Sequence, residues 1–180
     1  MSADAFGRLM ASADPAMIVV TTVAEGEPAG CLVGFHSQSG IAPERYCLWL
    51  SKANHTYRVG LRATRFAVHF LTDADLAVAE WFGTRSGEDV AKFDEHRADA
   101  AGPGQSGTAA DQPGLPILGV CPNRMVVERL AILDDGGDHA CFTTRVLSAH
   151  SVGPFTPLRL SDVAHLEPGR SSPSRSVHPW

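Results

Sequence analysis

Cysteines and aromatic residues are few in this sequence, and long hydrophobic runs are missing. Its four cysteines stand alone, without a C-x-x-C pair or a dense framework, so we interpret them as reduced and buried. The apolar runs are too short to span a bilayer. The first residues are acidic where a signal peptide would be basic. These features predict a cytoplasmic protein that does not enter a membrane.

Positive charge is also scarce, since 15 Lys and Arg residues face 20 Asp and Glu residues. The net charge of −5 leaves no electrostatic footprint for nucleic acid. No His or Cys pair has metal-ligand spacing on one element, so we expect no metal site. The absence of G-x-S-x-G argues against a serine hydrolase. A G-x-G-x-x-G match at 102–107 contains a proline and follows no predicted strand, so we reject it as a dinucleotide fingerprint.

The length and composition predict one folded domain. A chain of 180 residues with 44% hydrophobic content can bury a single good core. We place the domain at 1–166, with a polar, Gly- and Pro-rich surface excursion at 84–114 and a disordered tail at 167–180. Short β-branched segments separated by turn signals predict a mainly β protein. The fold class is a closed or nearly closed barrel with short helices at its rim.

Individual elements follow from hydrophobic periodicity and turn residues. The predicted strands are 17–23, 46–50, 66–71, 123–133, 139–147 and 157–160. The predicted helices begin near Asp4, run from Asn54 to Ala63, and run from Ala74 to Phe82 after a cap at Thr72 or Asp73. In the second of these helices we expect Tyr57 and Leu61 to face inward.

The stretch from Gly30 to Arg58 carries the strongest functional signal. An apolar strand breaks into a polar run at 36–40, a Pro-containing turn follows, and a second apolar strand ends in Ser51 and Lys52. Hydroxyls, a lysine and a helix start together present backbone N–H groups, a positive dipole end and a cation, which suit a phosphate. The alternative is that these residues only cap a helix and hold a loop.

The ordered set of motifs resembles the flavin reductase family, the FMN-binding split-barrel proteins. The motifs are Val19-Val20-Thr21-Thr22 with Glu25-Gly26, the loop Gly30–Glu44, the strand and turn Leu48–Thr56, Phe66–Leu71, Gly137-Asp138-His139 and Pro157-Leu158. The resemblance covers about residues 6–166. It implies an FMN-binding split β-barrel of Greek-key type.

The resemblance also implies a chemistry and its residues. It implies a homodimer that binds FMN, with FAD as the alternative, and passes hydride from NADH or NADPH to the flavin. The chain would act alone or as the reductase component of a monooxygenase. It places His139 in a catalytic role beside the nicotinamide. The implied cofactor-binding residues are Gly34, Phe35, His36, Ser37, Gln38, Ser39, Ser51, Lys52, Asn54, His55 and Thr56.

The signature loop departs from the family's pattern. Leu32, Gly34 and His36 replace residues that the family usually has there, so fewer hydroxyls can hold the flavin. Backbone N–H groups remain, because every residue but proline supplies one. Two other functions therefore stay open: an FMN or deazaflavin oxidoreductase with another acceptor, and a flavin-binding protein that is not an enzyme.

Two histidines have more than one interpretation, and a third has one. His139 either handles the donor or is an ordinary turn histidine. His36 either stacks on a ring or lines the pocket. His69, on an apolar strand, is expected to be a core histidine with its hydrogen bonds satisfied.

Overall fold

The computed structural model describes residues 3–85, 93 and 114–167. Within them the strands are β1 (Ile18–Ala24), β2 (Glu27–Val33), β3 (His36–Ile41), β4 (Glu44–Ser51), β5 (Arg65–Phe70), β6 (Arg124–Leu133) and β7 (His139–His150). The helices are α1 (Ala3–Ala13), α2 (His55–Gly60), α3 (Leu76–Thr84) and a 3₁₀ turn at Ser161–Val163. The strands form one antiparallel sheet in the order β2-β1-β5-β6-β7-β4-β3. The predicted mainly β fold class is confirmed.

The first hairpin forms where the turn signal predicted it. Glu25 and Gly26 have φ values of 52° and 79°, the left-handed conformation that a two-residue hairpin loop needs. Ala24 then pairs with Glu27 and the ladder continues to Ile18 opposite Val33. The loop therefore fixes the register in which Gly30 faces Thr21.

Strand β1 is buried along its whole length, because apolar side chains cover both faces of the sheet there. The residues on one face join a core with Leu48, Phe66 and Phe142. The other face packs against α3 and the segment around Leu158. The fold is thus a curled sheet with a filled interior and an outer layer over β1.

Gly30 lets α3 lie close to β2. A Cβ atom there would come 2.9 Å from Phe82 Cε1 and 3.1 Å from Phe93 Cζ. Phe82 and Phe93 contact each other, with ring centroids 5.8 Å apart. A side chain at this position would therefore displace the aromatic pair.

Two sequence-based boundaries were wrong near the predicted site. The polar run at 36–40 is strand β3 rather than a loop, and its residues are mostly exposed because β3 is an edge of the sheet. Helix α2 ends at Gly60 instead of Ala63, and Leu61 is 43% exposed, whereas we expected it to face inward.

Two further boundaries were wrong elsewhere. Helix α3 begins at Leu76 and continues past Gly83 to Thr84. The last predicted strand makes only isolated bridges, Ala16 with Arg159 and Thr72 with Pro157.

Some predicted features lie outside the described residues. They are most of the 84–114 excursion, its G-x-G-x-x-G match and the tail after Glu167. In the described part of the chain, no helix is both long enough and apolar enough to cross a membrane. Helix α1 forms as predicted, but Phe6 and Leu9 on its apolar face are 57% and 65% exposed.

Candidate functional site

Three stretches that are distant in sequence meet at one end of strands β3, β4 and β7. Ser51, the last residue of β4, pairs with His139, the first residue of β7. The Lys52 N–H donates to the Asp138 carbonyl at 2.9 Å. The Phe35 ring lies 4.9 Å from the His139 ring, centroid to centroid. The signature loop, the predicted phosphate turn and the Gly137-Asp138-His139 turn therefore form a single corner.

Strand β3 presents backbone donors along the edge of this corner. The Trp49 N–H donates to the Phe35 carbonyl at 2.9 Å, and Ser37 pairs with Cys47 further along β4. Backbone groups of alternate residues face the partner strand in an antiparallel ladder. The N–H groups of His36 and Gln38 therefore face away from β4. Phe35, which is 43% exposed, precedes them and supplies an aromatic surface.

The His139 side chain is held by its neighbour in the turn. Its Nδ1 lies 2.8 Å from Asp138 Oδ1, and the side chain is only 19% exposed. An Nδ1–H that donates to the carboxylate fixes the tautomer and leaves Nε2 as the nitrogen that a ligand would meet. Asp138 thus orients the predicted catalytic histidine.

Lys52, the cation of the predicted phosphate turn, already has an anionic partner. Its Nζ lies 2.6 Å from Asp134 Oδ1, in the turn between β6 and β7. This hydrogen bond raises the pKa of Lys52 and lowers the pKa of Asp134. Beside it, Ser51 Oγ accepts a long hydrogen bond of 3.4 Å from the Ala53 N–H. The turn offers a hydroxyl and an ammonium, with a carboxylate bound to the ammonium.

The three remaining residues of that turn differ in their availability. Asn54 is the N-cap residue of α2, yet its side chain makes no capping hydrogen bond. His55 Nε2 lies 3.2 Å from Glu27 Oε1, and Thr56 is 2% exposed. Since α2 has only six residues, its dipole adds little to anion binding. Ser51, Lys52 and Asn54 are therefore the accessible part of the predicted anchor.

The His36 side chain hydrogen-bonds to strand β4 and to the segment before β1. Its Nε2 lies 2.8 Å from the Ala16 carbonyl and its Nδ1 lies 2.7 Å from the Tyr46 hydroxyl. A carbonyl can only accept, so Nε2 carries the hydrogen and Nδ1 accepts from the tyrosine. Burial lowers the pKa of His36 and raises the pKa of Tyr46 to about 12. The imidazole is engaged within the chain, while the backbone of His36 remains at the sheet edge.

The other signature-loop residues form local contacts or stay exposed. A Cβ atom on Gly34 would lie 3.3 Å from Met17 Sδ, so the glycine makes room for that side chain. Ser37 Oγ donates to the Gln38 carbonyl at 3.0 Å, and Gln38 Nε2 donates to the Gly40 carbonyl at 3.2 Å. Ser39 is exposed.

Sequence reasoning missed two residues of this region, Asp134 and Tyr46. Three aspartates stand in the turn 134–138, and this cluster of negative charge could have indicated a counter-ion for Lys52. Tyr46 gave no signal, because its contact with His36 depends on the β3–β4 register.

The model of the Flavin reductase like domain family matches residues 10–160. A search of curated proteins finds no significant match.

Solved structures share the fold at low sequence identity. An FMN-binding protein from Thermus thermophilus with bound 1-cyclohex-2-enone is 24% identical over 76% of this chain and 70% of its own, with a TM-score of 0.61. Nitrilotriacetate monooxygenase component B from Mycobacterium thermoresistibile is 22% identical over 87% and 79%, with a TM-score of 0.66. Flavin reductase HpaC complexed with NADP⁺ is 19% identical over 88% and 92%, with a TM-score of 0.67. Since the family model matches most of its length, the chain belongs to the Flavin reductase like domain family.

Proposed function

We propose that the chain is an NAD(P)H-dependent flavin reductase that binds FMN at the corner formed by β3, β4 and β7. The observation that carries this proposal is the pairing of Ser51 with His139, with the Phe35 ring 4.9 Å from the His139 ring. That pairing puts a hydroxyl, a cation, an exposed aromatic ring and an oriented histidine within reach of one ligand. FMN has matching parts: a phosphate, a planar ring and carbonyl oxygens along one ring edge.

Each part of the chain has its own task in this proposal. The edge N–H groups of His36 and Gln38 donate to the carbonyl side of the ring, since they face away from β4. The Phe35 and His139 rings, which pack against each other, would contact the flavin ring from one side. Ser51, Lys52 and Asn54 lie beside the phosphate, and Lys52, whose ammonium is already paired with Asp134, can share a charge-assisted hydrogen bond with it. When bound, the flavin supplies a ring that accepts hydride from NADH or NADPH, and the protein supplies position and electrostatics.

His139 places the nicotinamide in this proposal. Asp138 holds its Nδ1, so the ring has one orientation and Nε2 meets the incoming donor. Flavin reductase HpaC has been crystallised with NADP⁺, which supports a nicotinamide donor for the shared fold. The choice between NADH and NADPH depends on contacts with the donor's adenosine half.

We also propose a homodimer, and an oxygenase as the acceptor of the reduced flavin. Exposed apolar side chains, Phe35 at the corner and Leu130 and Leu133 on β6, support a subunit interface. Nitrilotriacetate monooxygenase component B has the same fold, which supports a monooxygenase partner. A flavin-binding protein without reductase activity is the second candidate, favoured by the engagement of His36 and Lys52 within the chain.

An anaerobic bleaching assay tests the proposal. Purified protein with FMN should lose the flavin absorbance when NADH or NADPH is added without oxygen. His139→Ala should slow bleaching by about tenfold or more, because the donor loses a positioning contact. His165→Ala is the matched control, since His165 is 58% exposed and pairs with Glu80 on α3. Flavin binding without bleaching would favour the second candidate, and bleaching only with another reductant would indicate a different donor.

A further inference from the structure

The turn between β6 and β7 delivers a carboxylate directly to Lys52. Asp134 Oδ1 lies 2.6 Å from Lys52 Nζ and also accepts the Gly136 N–H at 2.8 Å. The backbone therefore holds this carboxylate in place from the turn side. Because Asp134 follows β6 and Lys52 follows β4, the contact depends on the sheet order in which β7 separates the two strands.

The charge at this corner is negative even before a ligand arrives. Asp134, Asp135 and Asp138 lie in one five-residue turn, and Asp134 of this turn contacts the Lys52 ammonium. Asp135 accepts the Gly137 N–H at 3.0 Å, and its charge contributes to the raised pKa of Lys52. A flavin phosphate would add up to two negative charges here. Like charges at hydrogen-bond separation repel strongly, so the phosphate and the Asp134 carboxylate cannot both occupy the same side of Lys52 without cost.

We propose that Asp134 is a specificity residue that competes with the flavin phosphate for Lys52. As a result, the chain binds FMN about as tightly as riboflavin, which lacks the phosphate. The inference rests on the proposed function, because it concerns the same corner. On this proposal, the chain recognises flavins by their ring rather than by their phosphate. The bound flavin therefore exchanges readily.

The Asp134→Asn variant tests this competition. An asparagine Oδ1 still accepts the Gly136 N–H, so the turn is kept while the charge on Lys52 is released. The dissociation constants of FMN and riboflavin would be measured by quenching of flavin fluorescence. The wild type should give similar constants for both flavins. Asp134→Asn should bind FMN three- to tenfold more tightly and leave riboflavin unchanged, a gain typical of one partly solvated charge contact.

Asp135→Asn is the matched control, because it removes one negative charge from the same turn without touching the Lys52 ammonium. If Asp135→Asn raised FMN affinity as much as Asp134→Asn, a general charge effect would replace the proposed contact. In the double variant Lys52→Gln, Asp134→Asn, the gain for FMN should disappear.

The two proposals fail in different ways. If both flavins bind, but the ratio of their dissociation constants is the same in the wild type and in Asp134→Asn, the proposed competition is wrong. The proposed flavin site is unaffected by that result. A wild type that already binds FMN at least tenfold more tightly than riboflavin also overturns the competition. If neither flavin binds to any variant, both proposals are wrong.

Discussion

Gly30 shows how one absent side chain positions a helix. The Phe82 and Phe93 rings both approach its α-carbon, and both aromatic residues are buried. The methyl group of an alanine would sit 2.9 Å from an aromatic carbon of Phe82, so this buried ring would have to shift.

We therefore expect Gly30→Ala to destabilise the fold by about 1–3 kcal/mol through overpacking. Gly7→Ala is the control, since nothing lies within 4 Å of a Cβ at this helical position. In α1 the alanine should be neutral or gain up to about 1 kcal/mol of helix propensity. Chemical denaturation of both variants measures the difference, and equal stability would contradict the close contact at Gly30.

His69 is a buried histidine whose two ring nitrogens have opposite roles. Its Nδ1 lies 3.2 Å from the Val19 carbonyl, so it donates, and its Nε2 accepts the Leu118 N–H at 3.0 Å. Burial lowers the pKa of His69 from 6.5 to about 4. The unfolded chain therefore takes up this proton at a higher pH than the folded chain does.

The sign of the pH dependence follows. As pH falls from 6.5 towards 4, the unfolded state gains a proton that the folded state refuses, so the free energy of unfolding should fall. The slope from this residue approaches about 1.4 kcal/mol per pH unit within that window. Denaturant unfolding at a series of pH values measures it. In His69→Gln, which keeps a donor and an acceptor, the slope should flatten; an unchanged slope would assign the titration to other groups.

His69 is also an example of a single residue whose environment the sequence predicts. A histidine inside an apolar strand predicts a satisfied core residue, and the structure confirms that for His69. His36 was expected to contact the flavin, but its side chain bonds to Ala16 and Tyr46, which come from other parts of the chain. The Lys52 contact with Asp134 spans 82 residues. Contacts of this kind depend on strand order, which local patterns do not contain.

At the scale of elements, helix α3 begins later than predicted because the Asp75 side chain hydrogen-bonds to Thr72, in the turn before the helix. Asp75 Oδ2 accepts both the Thr72 N–H and the Thr72 hydroxyl, each at 2.8 Å. These bonds hold a turn at 72–75, so the helical run starts at Leu76. We predicted the cap at Thr72 or Asp73 and did not consider Asp75, because a propensity rule does not separate such similar residues.

We expect Asp75→Ala to cost about 1 kcal/mol of stability, the usual loss for a helix-start carboxylate with hydrogen bonds. Asp73→Ala, two residues away in the same turn and exposed, is the control and should stay within about 0.5 kcal/mol of the wild type. Thermal and denaturant unfolding compare the two variants. A larger loss in Asp73→Ala would mean that the cap lies where the sequence first suggested.

Strand β3 was the other element that patterns did not predict. Its letters, HSQSG, have low strand propensity and would ordinarily indicate a loop. Pairing with the apolar strand β4 makes it a strand, because the neighbour supplies the ladder while polar side chains face solvent. Apolar strands such as β1 and β5 were predictable, since burial selects their residues directly.

At the scale of the whole molecule, several large apolar side chains remain on the surface of the single chain. Leu130 and Leu133 on β6 are 49% and 58% exposed, and Phe35 at the candidate corner is 43% exposed. Large apolar side chains that stay exposed on a single chain can mark an interface between proteins.

We accordingly expect the chain to sediment with the mass of two copies. Leu133→Asp should shift the equilibrium towards one copy, because burying a charge at an interface is costly. Leu61→Asp is the control; Leu61 is 43% exposed at the end of α2. Analytical ultracentrifugation at micromolar concentration separates the two states. A wild type that sediments as a single copy would contradict the proposed homodimer.

His36 and His69 respond differently to acid, because their hydrogen-bond partners differ. At His69 a backbone N–H points at Nε2, and a proton placed there would face another donor. At His36 the partner of Nδ1 is a hydroxyl, which can turn about its C–O bond and accept instead of donate. The hydrogen bond from His36 to the Ala16 carbonyl therefore persists whether the imidazole is neutral or protonated. The sheet edge that offers its amides to a ligand should keep its shape in mildly acidic solution, even while the core around His69 weakens.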